Sequence, residues 1–214
     1  MRKDLFSVPI YHGSVENNDK LKSVVIPFIN DANKAVNKSP PEGWLTNNLI
    51  TSFDEPEITK KLIADDNEIG KEIHSQYVKV IHDFFDGEDY EAKLKGAWYN
   101  YYDKGEWQEA HTHVGLFNDP THFSCVHFLA YDPHNHAPLS FLDPLVTYRS
   151  HSVILKAEKY CAKYSPPIKE GDFIMFPSWL AHEVKPMPPT PRNPRITISL
   201  NLQLLKYLER TNNV

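Results

Sequence analysis

Three histidines and one arginine in the second half of the chain have the types and spacing of a metal site with an anionic ligand. His111 and His113 are two residues apart, and His182 and Arg195 follow later. Residues two apart in a β-strand point to the same face, so one strand can direct both imidazoles to a single ion. Imidazole is a ligand of iron, copper, nickel and zinc, and the spacing therefore predicts a mononuclear metal site.

The last predicted strand, residues 194–204, alternates between a polar row and an apolar row. The polar row contains Arg195, Thr197, Ser199 and Asn201, and the apolar row contains Ile196, Ile198, Leu200 and Leu202. The apolar row is expected in the core, and the polar row is expected to line an interior pocket. A guanidinium beside a hydroxyl can hold a carboxylate through two hydrogen bonds. Because an unpaired buried charge is costly, Arg195 and Thr197 predict an anionic ligand.

Eight short β-like runs position these residues, and turn signals separate most of them. They cover residues 94–102, 107–114, 123–131, 139–142, 151–156, 172–176, 181–185 and 194–204. Runs of this length and spacing are typical of a sandwich or a jelly roll. The earlier residues differ, with a short leading strand at 5–11, a helix at 21–36 that breaks near Pro27, and an amphipathic helix at 67–85.

Length and composition predict one soluble domain. The 214 residues carry a net charge of −5, and no basic patch suggests nucleic-acid binding. No run approaches the apolar length of a membrane helix, and the start lacks a secretory signal, so we expect no membrane partner and a cytoplasmic location. We expect residues 1–92 to be a strand and helical support, 93–205 a jelly-roll core, and 206–214 a C-terminal tail.

A longer pattern of motifs resembles a known family. It consists of Trp98-x-Asn100, Gly105, His111-x-His113, Leu139-x-Phe141-x-Asp143-Pro144, Gly171-Asp172, Phe176-Pro177-Ser178-Trp179-Leu180-x-His182 and Arg195-x-Thr197-x-Ser199-x-Asn201. The pattern is similar to that of the 2-oxoglutarate- and Fe(II)-dependent oxygenases. It is most similar to a small group common in marine bacteria and in the phages of cyanobacteria. If the chain is a phage protein, the expected location is the host cytoplasm.

The resemblance implies a mainly β fold, a double-stranded β-helix of the cupin-like jelly-roll type with N-terminal helices packed on one side. It also implies Fe(II), 2-oxoglutarate and O2 as cofactor and co-substrates. In the family, two histidines and one carboxylate hold the iron. The co-substrate chelates the metal through its keto and C1-carboxylate oxygens, while its far carboxylate meets an arginine, here Arg195. A C–H bond is then oxidised, usually to an alcohol, with release of succinate and CO2.

One residue departs from the family pattern. The usual motif is His-x-Asp or His-x-Glu, whereas this chain has His113 in the second position. The iron could be held by three histidines, or by Asp143 as the carboxylate with His113 outside the ligand set, or by only two protein ligands. The spacing of His111 and His113 favours the set of three histidines.

Four further residues are candidates for supporting roles. In related enzymes a tyrosine near the position of His127 bonds the far carboxylate, and an imidazole could replace it; a buried histidine bonded to the backbone is the alternative. Asn100 could face the co-substrate or the substrate. Trp98 is expected in the core, and Trp179 is expected to pack so that it fixes the approach to His182.

The expected activity is hydroxylation of a C–H bond of a protein side chain or of a small metabolite. Residues 1–90 and the loops at 115–122 and 132–138 are expected to shape the substrate entrance, and a homodimer is conceivable. One alternative is a three-histidine cupin-type dioxygenase that binds its substrate directly to iron. The other is a jelly-roll module that binds a metal or a ligand without catalysis.

Overall fold

Strands dominate the computed structural model, which describes residues 8–35, 41–46, 49–85, 90–115, 118–146 and 162–207. The helices are α1 (Asn18–Ala32), α2 (Pro56–Ile63) and α3 (Glu68–Phe84). The strands are β1 (Tyr11–Ser14), β2 (Ile50–Thr51), β3 (Tyr90–Tyr102), β4 (Gln108–His111), β5 (Phe123–Ala130), β6 (Leu139–Leu142), β7 (Lys163–Tyr164), β8 (Asp172–Pro177), β9 (His182–Val184) and β10 (Arg195–Tyr207).

Two antiparallel sheets hold these strands, as predicted for a mainly β chain. The larger sheet has the order β1-β8-β5-β10-β3-β2, and the smaller sheet has the order β4-β9-β6-β7. Neighbours in each sheet are often distant in sequence, so β10 lies between β5 and β3 at the centre of the larger sheet. The smaller sheet carries the histidine strands β4 and β9, and the larger sheet carries Arg195.

The helices pack on one face of the larger sheet. The four apolar residues of the β10 row all belong to a buried cluster with side chains of α1 and α3. The α1 residues in that cluster are Leu21, Val25 and Ile29, and the α3 residues are Ile73, Tyr77, Val80 and Ile81. Burial of each such aliphatic side chain stabilises the fold by about 1.5–3 kcal/mol. This cluster confirms the predicted faces of β10 and leaves the polar row directed to the other side of the sheet.

Several predicted boundaries need correction. The helix expected at 21–36 begins at Asn18 and ends at Ala32, and it continues through Pro27 because its buried face runs unbroken on both sides. Strand β1 is Tyr11–Ser14, which pairs with β8; of the leading strand expected at 5–11, residues 8–10 are not in a strand, and residues 5–7 lie outside the described residues. Helix α2 was not predicted. The strand expected at 151–156 and most of the expected tail lie outside the described residues.

The amphipathic helix predicted at 67–85 is confirmed as α3. Its first turn is capped by Asn67, whose side-chain oxygen accepts a hydrogen bond from the Gly70 backbone N–H at 3.0 Å. Such a cap stabilises a helix by about 1 kcal/mol. In the described segments, no helix combines the length and the apolar character needed to cross a bilayer.

Candidate metal and co-substrate site

The three predicted histidines meet at the edge of the smaller sheet. His111 ends β4 and His182 begins β9, and the two residues are directly paired across these strands. One ligand atom from each of His111, His113 and His182 lies within 4.8 Å of the other two. The Nε2 atoms of His113 and His182 are 3.3 Å apart. The three imidazoles therefore surround one point at which a single ion could be bound.

The backbone around His113 differs from the prediction that one strand carries both His111 and His113. Strand β4 ends at His111, so His113 lies beyond the strand rather than within it. Its backbone N–H donates a hydrogen bond of 2.8 Å to the Ser178 carbonyl, which lies just before β9. That bond holds His113 against the segment that carries His182.

Hydrogen bonds orient two of the imidazoles as metal ligands. The Nδ1 of His111 is 2.7 Å from the Glu109 carbonyl oxygen, and the Nδ1 of His182 is 3.0 Å from the Leu180 carbonyl oxygen. A carbonyl oxygen only accepts, so each Nδ1 carries the proton and each Nε2 presents a lone pair. Metal-binding histidines in proteins are commonly held by this type of outer hydrogen bond.

Burial keeps the three histidines neutral at physiological pH. Loss of solvation lowers the pKa of His113 to about 3, with a smaller contribution from neighbouring His111. Burial lowers the pKa of His182 well below its usual value, and the two neighbouring imidazoles add to the shift. Burial also lowers the pKa of His111, although the Glu109 carbonyl opposes this. Neutral imidazole is the form that binds a metal, so the cluster suits an ion.

Arg195 supplies a buried positive charge to the same pocket. The residue is 1% exposed, and its guanidinium carbon lies 4.5 Å from the centre of the Tyr102 ring and 5.3 Å from that of Phe128. Among the described residues, its Nε and Nη1 atoms have no hydrogen-bond partner. Burial lowers the pKa of Arg195, but a guanidinium stays charged in proteins. A buried cation with two such unpartnered donors fits an anionic ligand.

A pocket between the two sheets connects Arg195 with the histidines. Asn100, Thr197 and Ser199 line it, as the predicted polar faces of β3 and β10 require. The Asn100 side chain is fixed, because Thr51 Oγ1 donates to its oxygen at 2.8 Å and its amide nitrogen donates to Ser199 Oγ at 3.3 Å. The structure thus brings Asn100 and Thr197 into the pocket with Arg195.

The structure does not support the predicted contact of His127 with the co-substrate. His127 is fully buried on the helix-facing side of β5, where its Nδ1 shares a hydrogen bond of 2.7 Å with the Tyr77 hydroxyl. Neighbouring Phe128 points the other way and lies under Arg195. Successive strand residues face opposite sides, and here the histidine falls on the helical side.

Asp143 does not belong to the cluster of side chains that could hold a metal. One of its carboxylate oxygens accepts a hydrogen bond from the Leu145 backbone N–H at 2.9 Å. Among the described residues, the cluster with metal-ligand geometry consists of the three histidines. The geometry therefore favours three histidines over a set that includes Asp143.

Two aromatic residues flank the metal site in ways that the sequence did not predict. Trp98 is buried, as expected, but it also lines the pocket, and its indole stacks on the His113 ring with centroids 5.6 Å apart. Trp44 stacks on His111 at 6.3 Å. The position of Trp98 could have been predicted from the sequence, because Trp98 and Asn100 share one face of β3. Trp179 is 48% exposed, which is more than expected for a residue that packs beside His182.

The comparisons with known proteins agree with this geometry. Residues 96–201 match the family model described as "Putative 2OG-Fe(II) oxygenase". This matched region contains the three histidines, Asn100, Thr197 and Arg195. No curated protein sequence matches the chain at a significant level.

Solved structures of 2-oxoglutarate-dependent enzymes share the fold. A prolyl-4-hydroxylase from Pseudomonas putida is 14% identical with a TM-score of 0.59, covering 92% of this chain and 93% of that one. A viral collagen prolyl hydroxylase from Paramecium bursaria Chlorella virus-1, in complex with 2-oxoglutarate, is 12% identical with a TM-score of 0.54, covering 90% and 94%. HygX from Streptomyces hygroscopicus, with nickel, 2-oxoglutarate and hygromycin B bound, is 11% identical with a TM-score of 0.56, covering 91% and 82%.

These likenesses confirm the expected jelly-roll fold. The family match connects this pocket with 2-oxoglutarate and Fe(II), because the matched region includes the histidines and the arginine that line it. The region of residues 96–201 therefore belongs to the 2OG-Fe(II) oxygenase family, whose members use Fe(II), 2-oxoglutarate and O2.

Proposed function

We propose that this 2-oxoglutarate-dependent dioxygenase is a hydroxylase, which converts a C–H bond of its substrate to an alcohol and releases succinate and CO2. One observation carries the proposal. A pocket has three imidazoles converging at one end and, at the other, a buried guanidinium of which two nitrogens have no hydrogen-bond partner in the described part of the chain. This arrangement fits a metal bound next to a dicarboxylate.

Each end of the pocket has a distinct role in the proposal. His111, His113 and His182 hold Fe(II) through their Nε2 atoms, and Arg195 with Thr197 binds the far carboxylate of 2-oxoglutarate. When bound, Fe(II), 2-oxoglutarate and O2 supply the oxidation, in which one oxygen atom enters succinate and the other enters the substrate. Aromatic rings exclude water from this end, since Phe176 lies 4.7 Å and Phe141 lies 6.3 Å from the His182 ring.

The set of three histidines changes the electrostatics of the site. Neutral imidazoles leave the dication uncompensated by protein charge, whereas the usual carboxylate would cancel part of it. The two carboxylates of 2-oxoglutarate then provide the negative charge. This makes binding of the co-substrate and binding of the metal strongly interdependent, because each stabilises the other in a poorly solvated pocket.

Exposed apolar side chains around the histidines support a substrate with an apolar reacting part. Val114, which follows His113, is 63% exposed. Trp179 follows Ser178, whose carbonyl holds the His113 backbone, and is 48% exposed. Phe53 is 41% exposed and packs on Trp44 and Trp98, which stack on His111 and His113. Exposed apolar groups gathered at one site mark a binding surface.

A protein side chain and a small metabolite are both compatible with this surface. Two of the structurally similar proteins are named as prolyl hydroxylases, and a third is bound to hygromycin B. We propose a substrate of one of these two classes. Turnover that is stimulated by peptides but not by small metabolites would select the first class, and the reverse result would select the second.

Turnover of 2-oxoglutarate tests the proposal directly. Purified protein supplied with Fe(II), 2-oxoglutarate and O2 is expected to form succinate even without substrate, by slow uncoupled decarboxylation. His182→Ala and Arg195→Ala are expected to abolish it. Turnover of a substrate that needs iron but not 2-oxoglutarate would favour the three-histidine cupin alternative. Metal binding without any turnover would favour the non-catalytic module.

A further inference from the structure

Besides Arg195, the Trp98 indole provides the pocket with a hydrogen-bond donor that has no role in the proposed function. Trp98 is 5% exposed, and its buried Nε1 has no hydrogen-bond partner within the described segments. The other buried, unpartnered side-chain atoms among the described residues that line the pocket are Nε and Nη1 of Arg195. All three atoms are donors. Since a buried donor without an acceptor costs free energy, the pocket is suited to a ligand that presents acceptors.

The two groups of donors lie at different ends of the pocket. In the ladder between β3 and β10, Trp98 pairs with Ser199, and Arg195 pairs with Tyr102. Trp98 and Tyr102 are four residues apart on β3, which corresponds to roughly 13 Å along a strand. The Trp98 indole stacks on His113, with ring centroids 5.6 Å apart and planes inclined by 26°. Trp98 therefore lies at the end of the pocket that contains the histidines, and Arg195 lies at the opposite end.

Packing holds the Trp98 ring in this position without assistance from a hydrogen bond. Phe53 contacts it edge-on at a centroid distance of 5.2 Å, and His113 covers one of its faces. A fixed ring keeps its N–H in one direction. Such a donor is pre-organised for a ligand, because binding costs it little conformational entropy.

We propose that the Trp98 Nε1–H donates a hydrogen bond to the metal-proximal end of 2-oxoglutarate, to its C1-carboxylate or keto oxygen. The inference rests on the proposed function. Three neutral histidines contribute no negative charge, so the co-substrate oxygens beside the metal carry the negative charge of the site. A donor aimed at an anionic oxygen in a poorly solvated pocket makes a strong hydrogen bond. Trp98 is thus a co-substrate-binding residue that partners Arg195 from the other end.

The test compares Trp98→Phe with Trp44→Phe by anaerobic titration of the Fe(II)-loaded protein with 2-oxoglutarate. Trp98→Phe keeps a ring against His113 and removes the donor, and we expect roughly tenfold to hundredfold weaker binding of 2-oxoglutarate. Trp44→Phe is the matched control. Trp44 also stacks on a metal-site histidine, but it is only half-buried and lies outside the pocket lining. Its change is expected to alter the affinity less than about twofold.

Binding of Fe(II) without 2-oxoglutarate separates a hydrogen-bonding role from a structural one. Trp98→Phe is expected to leave Fe(II) affinity within about twofold of the original, because the donor acts on the co-substrate. Equal losses of metal and co-substrate affinity would overturn the inference, as would unchanged 2-oxoglutarate binding. If Trp98→Phe does not fold, benzothienylalanine can be placed at position 98, because it keeps the shape of the ring and has sulfur in place of N–H. The affinities of this variant for 2-oxoglutarate and for Fe(II) are then compared in the same way.

Failure of the inference can be distinguished from failure of the proposed function. If the unaltered protein binds 2-oxoglutarate in an iron-dependent manner and Trp98→Phe binds it equally well, only the role of Trp98 is wrong. If the unaltered protein shows no iron-dependent binding, the proposed function fails, and the role of Trp98 fails with it.

Discussion

Replacement of Arg195 by methionine is predicted to have opposite effects on the free protein and on co-substrate binding. Methionine is of similar length and lacks a charge. In the free protein, Arg195 is 1% exposed, and two of its three guanidinium nitrogens have no hydrogen-bond partner among the residues that the structure describes. Its compensation is stacking on Tyr102 and Phe128, with centroid distances of 4.5 and 5.3 Å.

The magnitudes follow from this environment. Each unpaired buried donor costs about 1–3 kcal/mol, and a desolvated cation–π contact returns about 2 kcal/mol. Removing the guanidinium is therefore expected to leave the unfolding free energy of the free protein unchanged or higher, as found when buried charges are replaced by apolar groups. In the complex, Arg195→Met loses two charge-assisted hydrogen bonds of about 1.5–3 kcal/mol each. The affinity for 2-oxoglutarate should fall at least about a hundredfold.

Chemical unfolding of the metal-free protein and anaerobic titration with 2-oxoglutarate give the two quantities. Arg192→Met is the matched control, because Arg192 is an exposed arginine of the preceding loop. It is expected to change neither quantity. A large loss of stability in Arg195→Met together with unchanged co-substrate affinity would refute the reasoning and make Arg195 a structural residue.

Two further predictions concern histidines. Changing His113 to aspartate is expected to preserve Fe(II) binding, measured by anaerobic metal titration, because a carboxylate ligand replaces an imidazole ligand. Asp143→Asn is expected to leave the Fe(II) affinity within about twofold of the original. A large loss of Fe(II) affinity in Asp143→Asn would instead indicate that Asp143 is a metal ligand. Burial lowers the pKa of His127 to about 3, against about 6.5 in the unfolded chain. Below pH 6.5, His127 is protonated in the unfolded state but stays neutral in the folded state, so stability falls as the pH falls from 6.5 toward 3. Between pH 7 and pH 5, His127 is expected to lower the free energy of unfolding by about 2 kcal/mol. In His127→Gln, the decrease in unfolding free energy between these two pH values should therefore be about 2 kcal/mol smaller than in the unaltered protein.

The sequence predicts the site best where a local pattern decides the structure. The alternation of β10 places its apolar row under the helices and Arg195 with Thr197 in the pocket, because strand periodicity fixes opposite faces. The pairing of His111 with His182 also agrees with the expected metal cluster. For β10 a few consecutive residues contain this information, whereas the pairing of His111 with His182 joins strands whose paired residues are 71 positions apart.

Other features depend on contacts between distant segments, which a single sequence does not reveal. Alternation in β5 shows that His127 and Phe128 face opposite sides, but not which side is the pocket. The backbone of His113, beyond the end of β4, is held by a hydrogen bond to Ser178, which is 65 residues later in the chain. The contact of Trp44 with His111 likewise joins remote parts of the chain. Helix continuation through Pro27 is a tertiary effect, since packing of the buried face outweighs the local preference.

The central claim is that the three histidines and Arg195 form one binding site for a metal and its dicarboxylate partner. The most direct measurement is anaerobic binding of 2-oxoglutarate with and without Fe(II), followed by calorimetry and by the visible absorption of the mixture. Tight binding and a new visible band are expected only when both are present, and both signals should be lost in His182→Ala. Equal binding of 2-oxoglutarate without iron, or no binding with it, would show that the histidines and Arg195 do not form such a site.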